Sequence, residues 1–179
     1  CACKDNQVYD EWIVRDQGAM VRQIGYSPKE FAQIMIDKEG GVDNAKKLFD
    51  KSEVKPSDYR PEDVRINSAG EKYSKILNSI FEENYDFSDY NRASSIYWPG
   101  NRLGHGREDI AKFWNSLKNI FTEIKFSIEH VGYLDEPNKN PRASIRWFLE
   151  GIHSNDSDDY GKKTNSKLFI MGINHVELN

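Results

Sequence analysis

Ala143-Ser144-Ile145-Arg146-Trp147-Phe148-Leu149 puts an apolar residue at every second position. Such alternation belongs to a β-strand with one face on a core. Upstream, Ile124, Phe126 and Ile128 alternate in the same way, and downstream so do Phe169, Met171, Ile173 and His175. The segment Asp135-Glu136-Pro137-Asn138-Lys139-Asn140-Pro141 reads as a turn, and residues 155–166 are a polar connection. The C-terminal third is therefore expected to be a meander of three long antiparallel strands.

Ahead of these strands the period changes. Ile110, Phe113, Trp114, Leu117, Ile120 and Phe121 form a helical stripe with Glu108 and Asp109 in its first turn, where carboxylates complement the helix dipole. Tyr73, Ile76, Leu77, Ile80 and Phe81 form another. Residues 84–106 between these helices are irregular. Residues 52–69, with Pro56 and Pro61, read as a linker. Ser27-Pro28-Lys29-Glu30 is a capping box that starts a helix ending near Gly40-Gly41. The stretch 16–24 predicts a helix closed by Gly25, and a further helix is expected from about Asp43. Residues 7–14 read as a strand, with Tyr9, Glu11 and Ile13 on one face and Val8, Asp10, Trp12 and Val14 on the other. Helices followed by a strand meander indicate an α+β fold: an arm over 1–69 and a main domain over 70–179.

Composition bounds the function. The chain has 179 residues and a formal net charge of −4, which gives a nucleic-acid partner no electrostatic support. No apolar run approaches a membrane span, and no basic-then-apolar targeting segment stands out, so a cytoplasmic location is expected. Aromatic residues make up 12%, enough to build a core from few positions. Cys1 and Cys3 are too close to staple a fold. The alternative to a cytoplasmic protein is a lipid anchor on Cys1. Gly100, Gly104 and Gly106 lack the Gly-Lys-Ser/Thr of a phosphate loop. Asn155-Asp156-Ser157-Asp158-Asp159 lacks EF-hand spacing and reads as a solvated acidic loop.

Four segments in order carry a family resemblance. They are Tyr97-Trp98-Pro99-Gly100 with Gly104-His105-Gly106-Arg107 and Phe113-Trp114; Ile145 to Ser154; Tyr160-Gly161 with Thr164; and Met171 to Glu177. Together they resemble the SnoaL-like polyketide cyclases of the NTF2-like superfamily over roughly residues 70–178. The resemblance implies a cone of curved antiparallel sheet wrapped around helices, an apolar pocket, a small hydrophobic ligand and a homodimer. It also implies no metal and no cofactor. Members of that family end in one more strand, and Val8 to Asp16 resembles it, moved to the N-terminus. Two arrangements fit this: a piece of a tandem protein, or a permuted domain in which strand 7–14 completes the sheet beside 168–177, in cis or in trans.

His153 lies in line with Trp147 and Leu149, and His175 in line with Phe169, Met171 and Ile173, which puts an imidazole on each apolar strand face. If strand 7–14 flanks 168–177, Glu11 approaches His175. A carboxyl in an apolar cavity has its charged form disfavoured, which raises its pKa toward a useful acid/base range. In the SnoaL-like cyclases a carboxylate precedes a Trp on the last strand, and Glu11 before Trp12 matches it, with His175 and His153 one and two strands away. The resemblance thus implies Glu11, His175 and His153 as catalytic groups moving protons in a cyclase, isomerase or hydrolase. Tyr9, Trp98, His105, Trp114, Trp147, Phe169 and Met171 are expected to line the pocket. The alternatives are an exposed Glu11 paired with Arg15, a structural histidine pair, and a non-catalytic ligand-binding or dimerisation module.

Overall fold

The computed structural model describes residues 2–45, 67–82 and 85–178. Most of the expected linker and the helix expected from Asp43 onward fall largely outside them, as does the Tyr9 side chain. The architecture is α+β, with four helices and antiparallel sheets among the described residues. None of these helices is long and apolar enough to cross a membrane.

The three long strands form as expected: β5 (Phe121–Leu134), β6 (Arg142–His153) and β7 (Lys167–Glu177), in the order β5-β6-β7. Two helices carry the apolar stripes, α3 (Ser68–Ser79) and α4 (Gly106–Ile120). They bury Tyr73, Ile76, Leu77, Ile110, Phe113, Trp114 and Leu117 in one core with Ile145, Trp147 and Leu149 of the sheet. Burying each such side chain contributes roughly 1.5–3 kcal/mol. Helix α3 is fastened at both ends. The Asn67 side chain caps it by accepting from the Gly70 N–H at 2.9 Å, and donates to Asp135 (2.7 Å) and to the Arg142 carbonyl (3.0 Å). At the far end, Lys118 donates to the Ile80 carbonyl at 3.0 Å.

Register decides which strand faces meet the core. Trp147 lies opposite Gly172, Ile145 opposite Asn174 and Leu149 opposite Ile170. Directly paired residues share a face, so Leu168, Ile170, Gly172, Asn174 and Val176 face the helices. The Trp147 indole lies over Gly172, where an added Cβ would sit 2.0 Å from the ring. Phe169, Met171, Ile173 and His175 turn outward with Phe148. In β5, shifts between Thr122 and Lys125 and between Ile128 and His130 keep Phe126, Ile128 and Val131 turned to the core.

The irregular segment 84–106 contains a hairpin that sequence periodicity did not reveal, β3 (Ser95–Trp98) and β4 (Arg102–His105). Its strands span four residues each, too short for alternation to register. Gly104 is packed so closely that a Cβ would lie 2.7 Å from both the Trp98 ring and Asp109.

The N-terminal arm departs from expectation. Residues 7–14 do not form one strand beside β7. Strand β2 (Gln7–Asp10) ends at Asp10 and pairs with β1 (Ala2–Lys4). The cause is local: Asp5 and Asn6 adopt positive φ (50° and 63°) and reverse the chain, a conformation these side chains tolerate in tight hairpins. The chain then crosses the outer sheet face. The Trp12 ring meets Phe148 edge-on at 6.3 Å and stacks under the Arg146 guanidinium at 4.0 Å. Helix α1 (Gln17–Gln23) is capped by Asp16, and α2 (Pro28–Lys38) by the capping box at Ser27. The Asp16 carboxylate also accepts the backbone N–H groups of Gly100 and Asn101, each at 2.8 Å, and so ties the arm to the β3–β4 turn.

Candidate functional site: a cleft floored by two phenols

A cleft of about 380 Å³ opens between α3, the 89–96 segment, the start of α4 and the end of β7. Its apolar wall is Ile76, Ile96, Ile110, Trp114 and Val176, and its rim carries Lys72 and Arg107 together with Asp89 and Glu177. Two cations and two anions balance, so the mouth has no net sign. The volume lies at the lower end of the range for small-molecule sites.

The floor is a hydrogen-bonded chain built from four segments of the chain. Trp147 Nε1 donates to Asn174 Oδ1 at 2.6 Å, and Asn174 Nδ2 donates to the Tyr73 hydroxyl at 3.2 Å. The Tyr73 and Tyr90 hydroxyls are 2.8 Å apart, with their rings perpendicular at 5.8 Å. Burial pushes the Tyr73 hydroxyl up to about 12, against the hydrogen bonds from Tyr90 and Asn174. Burial, with Tyr73 beside it, drives Tyr90 higher still. Both phenols are therefore protonated at neutral pH and act as hydrogen-bond donors rather than bases.

The expected catalytic groups are not brought together. Glu11 is exposed and does not border the cleft, because its strand ends at Asp10. His153 is buried on the inner face, as expected, yet at the other end of β6. At about 3.4 Å per residue, it stands roughly 27 Å along the strand from Ile145. Its Nδ1 lies 3.4 Å from Thr164 Oγ1, its Nε2 has no hydrogen-bond partner, and the Phe121 ring packs at 5.9 Å. His175 does border the cleft, but from the outer face and exposed to solvent. The two imidazoles thus lie on opposite faces of the sheet and cannot share a proton.

Of the expected pocket residues, Trp114 lines the cleft, and Trp147 supports its floor through Asn174. Trp98 instead stacks on Phe113 at 5.9 Å and carries the Arg102 guanidinium over its ring at 5.3 Å. His105 is exposed, its Nδ1 3.2 Å from Ser95 Oγ. Phe169 and Met171 border a shallow groove with Trp12 and Phe148 on the outer face, not the interior. Among the described residues, no group of three or more His, Cys, Asp or Glu side chains is placed to hold a metal ion.

Sequence reasoning missed Tyr90 and Asn174. Tyr90 lies in the irregular segment, where no period marks it. Asn174 did carry a signal: an amide within an apolar strand wants a buried partner. No protein-family model matches the sequence, and comparison with curated proteins gives no match.

Proposed function

We propose that this chain is a small-molecule-binding domain of the NTF2-like, SnoaL-like kind, and that the cleft between α3 and α4 is its binding site. The observation that carries this reading is the combination of an apolar wall with a buried, ordered polar floor. A concavity that sets fixed polar groups beside an apolar wall has the anatomy of a ligand site; here Asn91, Ser94 and Ser95 add further polar lining. The homodimer implied by the resemblance belongs to the same proposal, and sedimentation equilibrium tests it separately.

A catalytic version needs an acid/base group at the cleft. Only His175, of the three groups expected, meets that condition, with Asp89 and Glu177 as rim carboxylates. In that version the cyclase or isomerase chemistry runs through His175, and Glu11 and His153 serve structure.

A thermal-shift screen with polyketide-like, steroid-like and terpenoid compounds tests the binding reading, because a ligand of the folded state raises the melting temperature. The matched variant is Ile96→Trp, at a half-buried position on the wall, which narrows the cleft without entering the buried core. Hits on the wild type that vanish in a folded Ile96→Trp support the site. Hits that persist place binding elsewhere. Turnover that disappears in His175→Ala while the thermal shift remains would support the catalytic version.

A further inference from the structure

We infer that the N-terminal arm is a strap: docked, it holds the β3–β4 hairpin down as a wall of the cleft, and released, it lets that wall swing open. The inference concerns access to the cleft and holds whatever the cleft takes up.

The two ends of the hairpin have different partners. Its base is hinged to α4. There the Gly106 N–H donates to the Ser94 carbonyl at 2.8 Å, and the His105 N–H to the Asp109 carboxylate at 2.9 Å. Gly106 itself holds a positive φ of 71°, which glycine adopts freely. Just above this hinge, Ser95 and Ile96 line the cleft. The tip belongs to the arm. Gly100 and Asn101 also hold positive φ (92° and 60°), and their N–H groups both donate to one oxygen of Asp16, each at 2.8 Å. The other oxygen of Asp16 accepts the Ala19 N–H at 2.8 Å and so caps α1. One carboxylate thus joins helix to hairpin, through charge-assisted hydrogen bonds about twice as strong as neutral ones. The helix sits close on the turn: a Cβ on Gly100 would lie 3.9 Å from Nε of Arg22. The paired strands between tip and hinge make a lever roughly 14 Å long, so freeing the tip lets Ile96 leave the wall.

The remaining fastenings of the hairpin are partial. Ile96 and Trp98 pack against the core but are half-buried. Arg102 pairs with Asp159 at partly exposed side chains, where an ion pair contributes little. The arm, for its part, is built to let go. Its second anchor is Trp12, which lies against Phe148 and under the Arg146 guanidinium on the outer sheet face. Among the described residues, α1 buries Val21 and α2 no side chain, while Met20, Ile24 and Ile34 stay exposed. Elements with so little burial open locally at low cost, well before the core does. Docked and released arms are then two states of one element, and the hairpin follows them.

NMR of the intact protein tests this with three variants. Asp16→Asn keeps the size of the side chain but leaves one acceptor oxygen, for the cap or the turn and not for both. Trp12→Ala frees the other anchor, which does not line the cleft. Ser27→Ala removes the cap of α2 and is the control. One readout is exchange with water of the Trp98 indole proton, whose nitrogen is buried. The other is the relaxation that a soluble gadolinium chelate causes at the Ile96 and Ile110 methyls. Asp16→Asn should speed the indole exchange by roughly ten-fold or more and at least double the relaxation at both methyls, with the amides of β5 and β6 unchanged. Trp12→Ala should move both readouts in the same direction, by less, and decides alone if Asp16→Asn does not fold. Ser27→Ala should move neither. Readouts that stay at wild-type values in Asp16→Asn overturn the inference. A response to Asp16→Asn with none to Trp12→Ala also overturns it, because the hairpin then needs a local carboxylate and not the arm. Faster indole exchange without added relaxation at the methyls means that the tip frays while the wall stays shut, which overturns it as well.

Discussion

Phe148 and Leu149 are neighbours in the chain and both are buried, yet they belong to different surfaces. Leu149 points into a core closed by two helices. Phe148 points to the outer face, where among the described residues Trp12 from the arm meets it, beside a groove with Phe169 and Met171. The inner face is packed against α3 and α4 except at the end of β7, where Asn174 and Val176 border the cleft. Among the described residues, the outer face is reached by Trp12, from a segment whose second helix, α2, has no buried side chain of its own. Burial of a residue and its contribution to stability are thus separate quantities on this sheet. What matters is whether the covering element is itself held.

The contrast can be broken most severely at Gly172. Any side chain there meets the Trp147 ring, which must swing away and release Asn174. Gly172→Ala should cost at least ~3 kcal/mol, the upper end of overpacking penalties, seen as a large drop in the urea midpoint. A midpoint within error of wild type would mean the two faces are packed alike. Next is the pair Leu149→Ala and Met171→Ala. The inner substitution should cost about 3 kcal/mol through cavity formation and the outer one about 1 kcal/mol or less. Equal losses would show that the arm seals the outer face as firmly as the helices seal the inner one.

Tyr73→Phe should cost about 1 kcal/mol, because it removes one link from a buried hydrogen-bond chain. Chemical denaturation with far-UV CD checks it. The smallest effect concerns the arm. Asp16→Ala should cost ~1 kcal/mol or less as a lost helix cap, and should speed amide exchange in α1 before that in α4. Partial burial alone would raise the Asp16 carboxyl. The N–H groups of Asn101, Ala19 and Gly100, with Arg22 nearby, outweigh it and hold the group below its ordinary 3.8. A depressed folded-state pKa contributes stability that is present above the unfolded value and lost as pH falls through the folded one. The arm should therefore loosen below about pH 3.8 in the wild type, and Asp16→Ala should show no such step in α1 exchange.

How much of this was legible in the sequence follows from the same two faces. In β6, polar Ser144, Arg146 and Glu150 mark the outward positions, so the inner face could be read directly. In β7 both sets are apolar, Leu168, Ile170 and Val176 against Phe169, Met171 and Ile173. A period of two then identifies the strand but not its facing. Only pairing with β6 settles that, and the physical cue was Gly172, an interior strand glycine where a large neighbour approaches. The error placed Phe169, Met171 and His175 inside. The helix starts at Asp16 and Ser27 were legible because capping is local chemistry. The N-terminal hairpin was not read, although Asp5-Asn6 is a turn pair. The phenol floor needs residues 73, 90, 147 and 174 to meet, and no local pattern encodes a meeting of four distant segments.

The double fastening of α3 has a consequence in time. A helix of 12 residues is marginal in water on its own. Its cap at Asn67 reaches Asp135 and Arg142, residues 68 and 75 positions away, and its last carbonyl waits for Lys118. Closing loops of that length is slow compared with forming neighbouring elements. Helix α4 and the hairpin of β5 and β6 involve nearer partners and can assemble first. The cleft, which α3 walls on one side, is then completed late in folding, and the Tyr73–Tyr90 contact becomes a reporter of the final docking step rather than of the first collapse.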